Sequence, residues 1–193
     1  MSFKMKYERD LYVMQQIFAT VFTLSNKLQI EGDKTLEILT IRQLMTILAV
    51  LHLPEGKATL SAVAKKLGTS RQNEKQLVSL MEKKGLVTTT PSKTDKRASC
   101  ILITQKGIDA VLTGAEHSIS LFSKMFAKFT TNDLETLFVL LKKLYHFDGS
   151  CENGFEKNVN YGEDAPLSEK QICLLKDFDA CRATANGVER NEK

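Results

Sequence analysis

Between Thr59 and Thr104 the local preference of the chain switches repeatedly, and in a fixed order. Leu60-Ser61-Ala62-Val63-Ala64-Lys65-Lys66-Leu67 has helical spacing, and Gly68 ends it. Ser70 then caps a second helix that runs to Lys84 and stops at Gly85. Leu86-Val87-Thr88-Thr89-Thr90 is β-branched and reads as a strand. Pro91 to Lys96 is a polar, basic turn region, and Ala98 to Ile103 returns as a second strand. Thr104 opens a further helix. The order helix, turn, helix, strand, basic loop, strand, helix is that of a winged helix-turn-helix. It is far more restrictive than a helix-turn-helix pattern alone.

The flanks are helical. Tyr7 to Ile30 carries Leu11, Met14, Ile17 or Phe18, Val21, Leu24 and Leu28 at three- and four-residue steps, with Gly32 beyond. Tyr12, Val13 and Phe22 fall off that stripe, so this helix is expected to have more than one packing partner. Thr40 caps a helix over Ile41 to Leu51, with Leu44, Ile47, Leu48 and Leu51 facing inward. The helix after Thr104 reaches about Phe129 on a stripe that includes Ile108, Val111, Leu112 and Phe122. Thr130 and Asp133 form a capping box for the next. From Asp148 to Ala165 Gly, Asn and Glu dominate, as in a linker, and Ser168 caps a last helix to about Thr184.

Charge is concentrated in the same central segment. The 193-residue chain has a net charge of only +4, but Leu36 to Lys106 holds 12 Lys and Arg against 5 Asp and Glu. Asp148 to Lys193 holds 6 against 10. One basic segment in a near-neutral frame marks a local surface for a polyanion. Other classes are excluded by what is missing. No apolar run approaches the ~20 residues that span a bilayer. The first ten residues turn charged where a signal peptide needs its apolar stretch, so the expected compartment is the cytoplasm. Cys100, Cys151, Cys173 and Cys181 share no C-x-x-C spacing, and His52, His117 and His146 are isolated, which predicts neither a disulfide framework nor a metal site. No nucleophile–base pair or Gly-rich phosphate loop is present, so neither an enzyme nor a cofactor is expected.

The candidate contacts follow from the second helix of the pair. Val63 and Leu67 bury the first helix, and Ala64 is small enough for the second to cross closely; Leu77, Leu80 and Met81 are expected to bury the second. Its outward face then carries Arg71, Gln72, Lys75, Gln76 and Ser79. Arg pairs bidentately with guanine, and Gln with adenine, in a major groove. Arg71, Gln72 and Gln76 are therefore read as base contacts, and Lys75 and Ser70 as phosphate contacts, aided by the positive helix N-terminus.

These stretches resemble the MarR family. The resemblance rests on Leu60-Ser61-x-Val63-Ala64-x-x-Leu67-Gly68, Thr69-Ser70-Arg71, Leu80-Met81-Glu82-Lys83-Lys84-Gly85-Leu86-Val87, Asp95-Lys96-Arg97, Leu102-Ile103-Thr104-x-x-Gly107 and, upstream, Leu39-Thr40-x-x-Gln43. It covers about Tyr7 to Phe147. It implies a mainly α fold with a small β-hairpin wing, a winged helix-turn-helix at about 36–104 with dimerisation helices at about 7–30 and 105–147. Residues 148–193 are left as an acidic C-terminal extension. It further implies a homodimer on double-stranded DNA, acting as a repressor of a pseudo-palindromic operator. Lys93, Asp95, Lys96 and Arg97 would form the wing's contact, with Arg97 in the minor groove and Asp95 holding the basic residues in place.

Members of that family commonly bind small phenolic or anionic effectors between the dimerisation helices and the DNA-binding lobe. Tyr12, Phe18, Phe22, Met45 and Phe122 are candidates for such a pocket, with core packing as the alternative role. Glu74 departs from the family pattern, which has a small apolar residue at that buried position. A carboxylate there must be paired, reach solvent, or oppose DNA phosphate. Glu74 and the acidic extension motivate an alternative function, a winged-helix protein-interaction module that has lost operator binding.

Overall fold

The structure, a computed structural model, describes residues 3–92, 99–149, 154–156 and 169–188. Its elements are α1 (Phe3–Thr35), α2 (Ile41–His52), α3 (Leu60–Lys66), α4 (Arg71–Lys83), β1 (Val87–Pro91), β2 (Ser99–Ile103), α5 (Gln105–Phe126), α6 (Thr131–Tyr145) and α7 (Glu169–Val188). The helix starts are set by local chemistry. Thr40, Ser70, Thr104 and Thr130 each stand in extended backbone and accept a bond from the amide three residues on, and Thr59 does the same for α3. Thr40 with Gln43 and Thr130 with Asp133 complete reciprocal capping boxes. Gly68 and Gly85 take positive φ after α3 and α4, where a side chain would be strained.

β1 and β2 pair antiparallel, Val87 opposite Ile103 and Pro91 opposite Ser99. Ahead of α3, Thr59 bridges to Cys100 and the Ile101 amide donates to the Ala58 carbonyl at 2.8 Å, which ties the wing to the front of the helix pair. The lobe closes on a core of Leu39, Ile47, Ala49, Val63, Val78, Met81, Leu86, Ile101, Ala110 and Val111. α5 leaves this lobe and runs beside α1, and α7 packs on α5. No described helix is long and apolar enough to cross a membrane.

Three expectations are corrected. α1 does not stop before Gly32 but continues to Thr35. A Cβ at Gly32 would overlap the side chain of Ile41, so glycine here lets α1 pass close to the start of α2 rather than breaking it. α5 ends at Phe126, three residues early, and a turn with Phe129 bonded back to Phe126 leads to α6. On α4, Leu80 is 53% exposed and Val78 takes its expected place in the core. The buried stripe is Glu74, Val78 and Met81, four and three residues apart, flanked by Leu77. Ser168, the expected cap of α7, lies outside the described residues.

α1 is the exception to burial. Every residue from Tyr7 to Lys27 is exposed, Leu11, Met14, Phe18 and Phe22 among them. Its C-terminal end is the part that becomes buried, with Gly32 beneath Ile41 and Glu31 paired with Lys124 of α5. α6 has no buried residue, and shows Phe138, Leu141 and Leu144 to solvent.

Candidate nucleic-acid interface

α4 is held by one side and free on the other. Val78 and Met81 sit in the core beneath it, and α3 packs against it through Val63 and the small Ala64, both buried. Arg71, Gln72, Lys75, Gln76 and Ser79 are all exposed, so the structure brings the five predicted contact residues of this helix onto its solvent side. Asn73 is exposed beside them and, with the same amide chemistry as Gln72, joins the candidate contacts. Ser70 does its capping work with its oxygen, which accepts from the Asn73 amide at 3.2 Å. Its hydroxyl proton remains available to an acceptor such as phosphate. The wing strands place the β1–β2 connection at one end of the hairpin, but its predicted contacts, Lys93, Asp95, Lys96 and Arg97, lie outside the described residues.

Glu74 does not oppose DNA. It is 2% exposed and points into the lobe, where the Thr46 hydroxyl of α2 donates to its Oε1 at 2.9 Å. Burial pushes its carboxyl above the ordinary carboxylate range, against the Thr46 bond and the charge of Arg42, which favour ionisation. Thr46 has one proton and two acceptors, because the Arg42 carbonyl is 3.0 Å from the same hydroxyl. A neutral acid or an amide at position 74 would be able to donate to the Thr46 oxygen and leave the Thr46 proton to the Arg42 carbonyl.

An acid whose pKa is raised by folding binds protons more tightly in the folded state, so stability falls as pH rises from the ordinary carboxyl range through the raised value. Glu74→Gln keeps a donor for Thr46 and carries no charge. We expect it to raise stability at pH 7.5 by about 1 kcal/mol and to flatten the difference between pH 5 and pH 7.5. Thermal unfolding at fixed protein concentration measures both, and a loss of stability at pH 7.5 would contradict this account.

None of the five candidate pocket residues lines the small cleft between the α1–α2 connection and α5. Tyr12, Phe18, Phe22 and Phe122 are exposed, and Met45 is half-buried. That cleft is lined by Leu36, Ile38, Leu39, Ala110, Gly114 and His117. Cys100 is buried and its thiol donates to the Gly56 carbonyl at 3.2 Å, which is a packing role.

A buried two-helix unit with an exposed polar recognition face, followed by a two-stranded wing and a long helix, defines a winged helix-turn-helix. Residues 39–98 match the model of the MarR family. Solved structures carry the likeness further along the chain. A MarR/EmrR family transcriptional regulator from Acinetobacter sp. ADP1 aligns with a TM-score of 0.61 at 20% identity, over 71% of this chain and 97% of its own. MepR of S. aureus, solved as a DNA complex, aligns at 0.59 and 20% identity, over 66% of this chain and 95% of its own. PcaV of Streptomyces coelicolor, solved with its natural ligand, aligns at 0.57 and 17% identity, over 66% and 90%. No curated protein sequence matches the chain. The Acinetobacter protein is described as a transcriptional regulator, and the likeness to it is one of fold.

Proposed function

We propose that this chain is a homodimeric, cytoplasmic transcriptional repressor that binds a pseudo-palindromic DNA site and is released by a small aromatic or anionic effector. The observation that carries the reading is the α4 face: Arg71, Gln72, Lys75, Gln76 and Ser79 project together from a helix whose opposite side is locked into the core. The exposed apolar length of α1 supports the second copy, since α1 and α6 otherwise leave large side chains in water. Residues 1–147 would form the dimeric regulator, with 148–193 an extension to it. The effector reading draws on PcaV, which was solved with its natural ligand, and on Tyr12, Phe18 and Phe22 of α1, Met45 of α2 and Phe122 of α5. Wing contacts by Lys93, Asp95, Lys96 and Arg97 complete the proposed interface. The alternative of a protein-interaction module loses one of its two motives, because Glu74 is turned away from the face.

The test is selection of bound sequences from a random duplex pool by the full chain, then titration of the best duplex at several salt concentrations. Two recognition helices predict half-sites about 34 Å apart and a log–log salt slope of about −0.9 per neutralised phosphate. Arg71→Ala or Gln76→Ala should weaken the best duplex roughly ten- to hundredfold, as loss of a base contact does. Absence of any salt-sensitive duplex binding rejects the proposal.

A further inference from the structure

Three residues of the extension reach back to the lobe. Lys66, the last residue of α3, is a cation only 7% exposed. Its ammonium donates to the Gly154 carbonyl at 2.6 Å and stands 5.0 Å from the centre of the Phe155 ring. That ring meets the His52 imidazole, at the end of α2, edge-on at 5.0 Å. On the other side Glu156 Oε1 pairs with the Lys142 ammonium of α6 at 3.1 Å. Tyr145 of α6 closes the group by donating from its hydroxyl to the Lys66 carbonyl at 3.2 Å. One tripeptide thus touches the ends of α2, α3 and α6, and the contact joins residues 88 positions apart.

The chemistry is that of a fastening. A desolvated ammonium requires an acceptor, and Lys66 has a carbonyl and a ring face in place of water. α6 has no buried residue to anchor it to the lobe, so a few polar contacts near its C-terminal end weigh heavily. The position of that end matters because α6 belongs to the helical frame and α4 to the lobe. A small rotation of the lobe about the frame moves α4 along or out of a groove, and a misplaced recognition helix forfeits its base contacts together.

We propose that Gly154–Glu156 is a clasp that fixes the lobe carrying α4 to α6, and so sets the position from which α4 meets DNA. Lys66, Phe155 and Glu156 are positioning residues in this scheme. The proposal rests on the DNA-binding function above.

Phe155→Ala, Phe155→Tyr and Glu156→Gln in the full chain test it, by hydrogen exchange and by affinity for the best duplex recovered from a random pool. Phe155→Ala should raise amide exchange in the last turn of α6, around Lys142 to Tyr145, while the cores of α3 and α4 around Val63, Val78 and Met81 keep their protection. Its duplex affinity should fall about tenfold. Glu156→Gln should move both readouts in the same direction by less, and Phe155→Tyr, which keeps the ring, should restore them. Unchanged exchange in α6 overturns the clasp. Faster α6 exchange with unchanged or higher duplex affinity overturns its role in placing α4. Deprotection of the α3 and α4 cores reduces it to a folding contact and overturns the proposal too. If the unaltered chain binds no duplex, the DNA-binding reading has failed instead, and the α6 exchange result still decides whether the clasp exists.

Discussion

In the proposed dimer, replacing Phe18 and Phe22 of α1 with Asp is expected to give a monomer and to lower affinity for the selected duplex at least a hundredfold. The two rings are 75% and 67% exposed, one helical turn apart, with Leu11 and Met14 on the preceding turns. Each large apolar side chain left in water forgoes about 1.5–3 kcal/mol of burial, and a contiguous row of them is the mark of an interface. Two carboxylates in the same row would have to be desolvated without partners, which a dimer of this face cannot absorb. Loss of the dimer also separates the two DNA contacts, and linked contacts gain roughly 10²- to 10⁴-fold over single ones. Sedimentation gives the oligomeric state, titration of the selected duplex gives the affinity, and the helical signal in circular dichroism shows that the lobe is still folded. A dimer that persists with full affinity would mean that α1 is covered in some other way.

The second large effect is on stability. Gly107 is the third residue of α5, and a Cβ there would overlap the Leu86 carbonyl oxygen and come within 2.8 Å of Ile103 Cγ2. The Leu86 carbonyl cannot simply move away. It accepts from the Thr104 amide at 3.1 Å, and the single Thr104 hydroxyl proton lies between it, at 3.0 Å, and the Gly85 carbonyl, at 2.7 Å. Thr104 is at the same time the cap of α5, its oxygen accepting from the Gly107 amide. Gly107→Ala must therefore push the end of the wing off the start of α5, and we expect it to cost about 3 kcal/mol. Gly114→Ala is the control on the same helix. Its Cβ would lie 3.4 Å from Leu36 Cδ2, an acceptable contact, so the change should be neutral or stabilise by up to about 1 kcal/mol. Denaturant unfolding of the two variants side by side makes the comparison, and equal effects would mean that the Leu86 approach is not what requires glycine at 107.

Both effects show where sequence reading stops. Gly107 was visible as part of a motif, but the carbonyl that excludes a side chain comes from Leu86, on the far side of the hairpin. The apolar residues of α1 were visible too, and read as one stripe with extra residues off it. That every residue from Tyr7 to Lys27 is exposed followed only once the rest of the core had closed without them.

What the sequence determined alone is what short-range physics decides. Thr40, Ser70, Thr104 and Thr130 cap their helices because a hydroxyl three residues before an amide needs no partner from elsewhere. Gly68 and Gly85 end theirs, and the β-branched runs around them pair as the wing. The outward polar face of α4 belongs with these, since helical geometry puts Arg71, Lys75 and Ser79 on one side.

The tertiary structure decided whatever depends on a partner distant in sequence. Glu74 is acceptable inside because Thr46 of α2 waits there, 28 positions away. Val78 rather than Leu80 is buried because α4 is rolled by its contacts, not by its own periodicity. Lys66 leaves the basic surface because Gly154 and Phe155 return to cover it. Hydrophobic spacing says which side of a helix is apolar, but only the assembled neighbours determine how it is turned, and which polar groups can follow it inside.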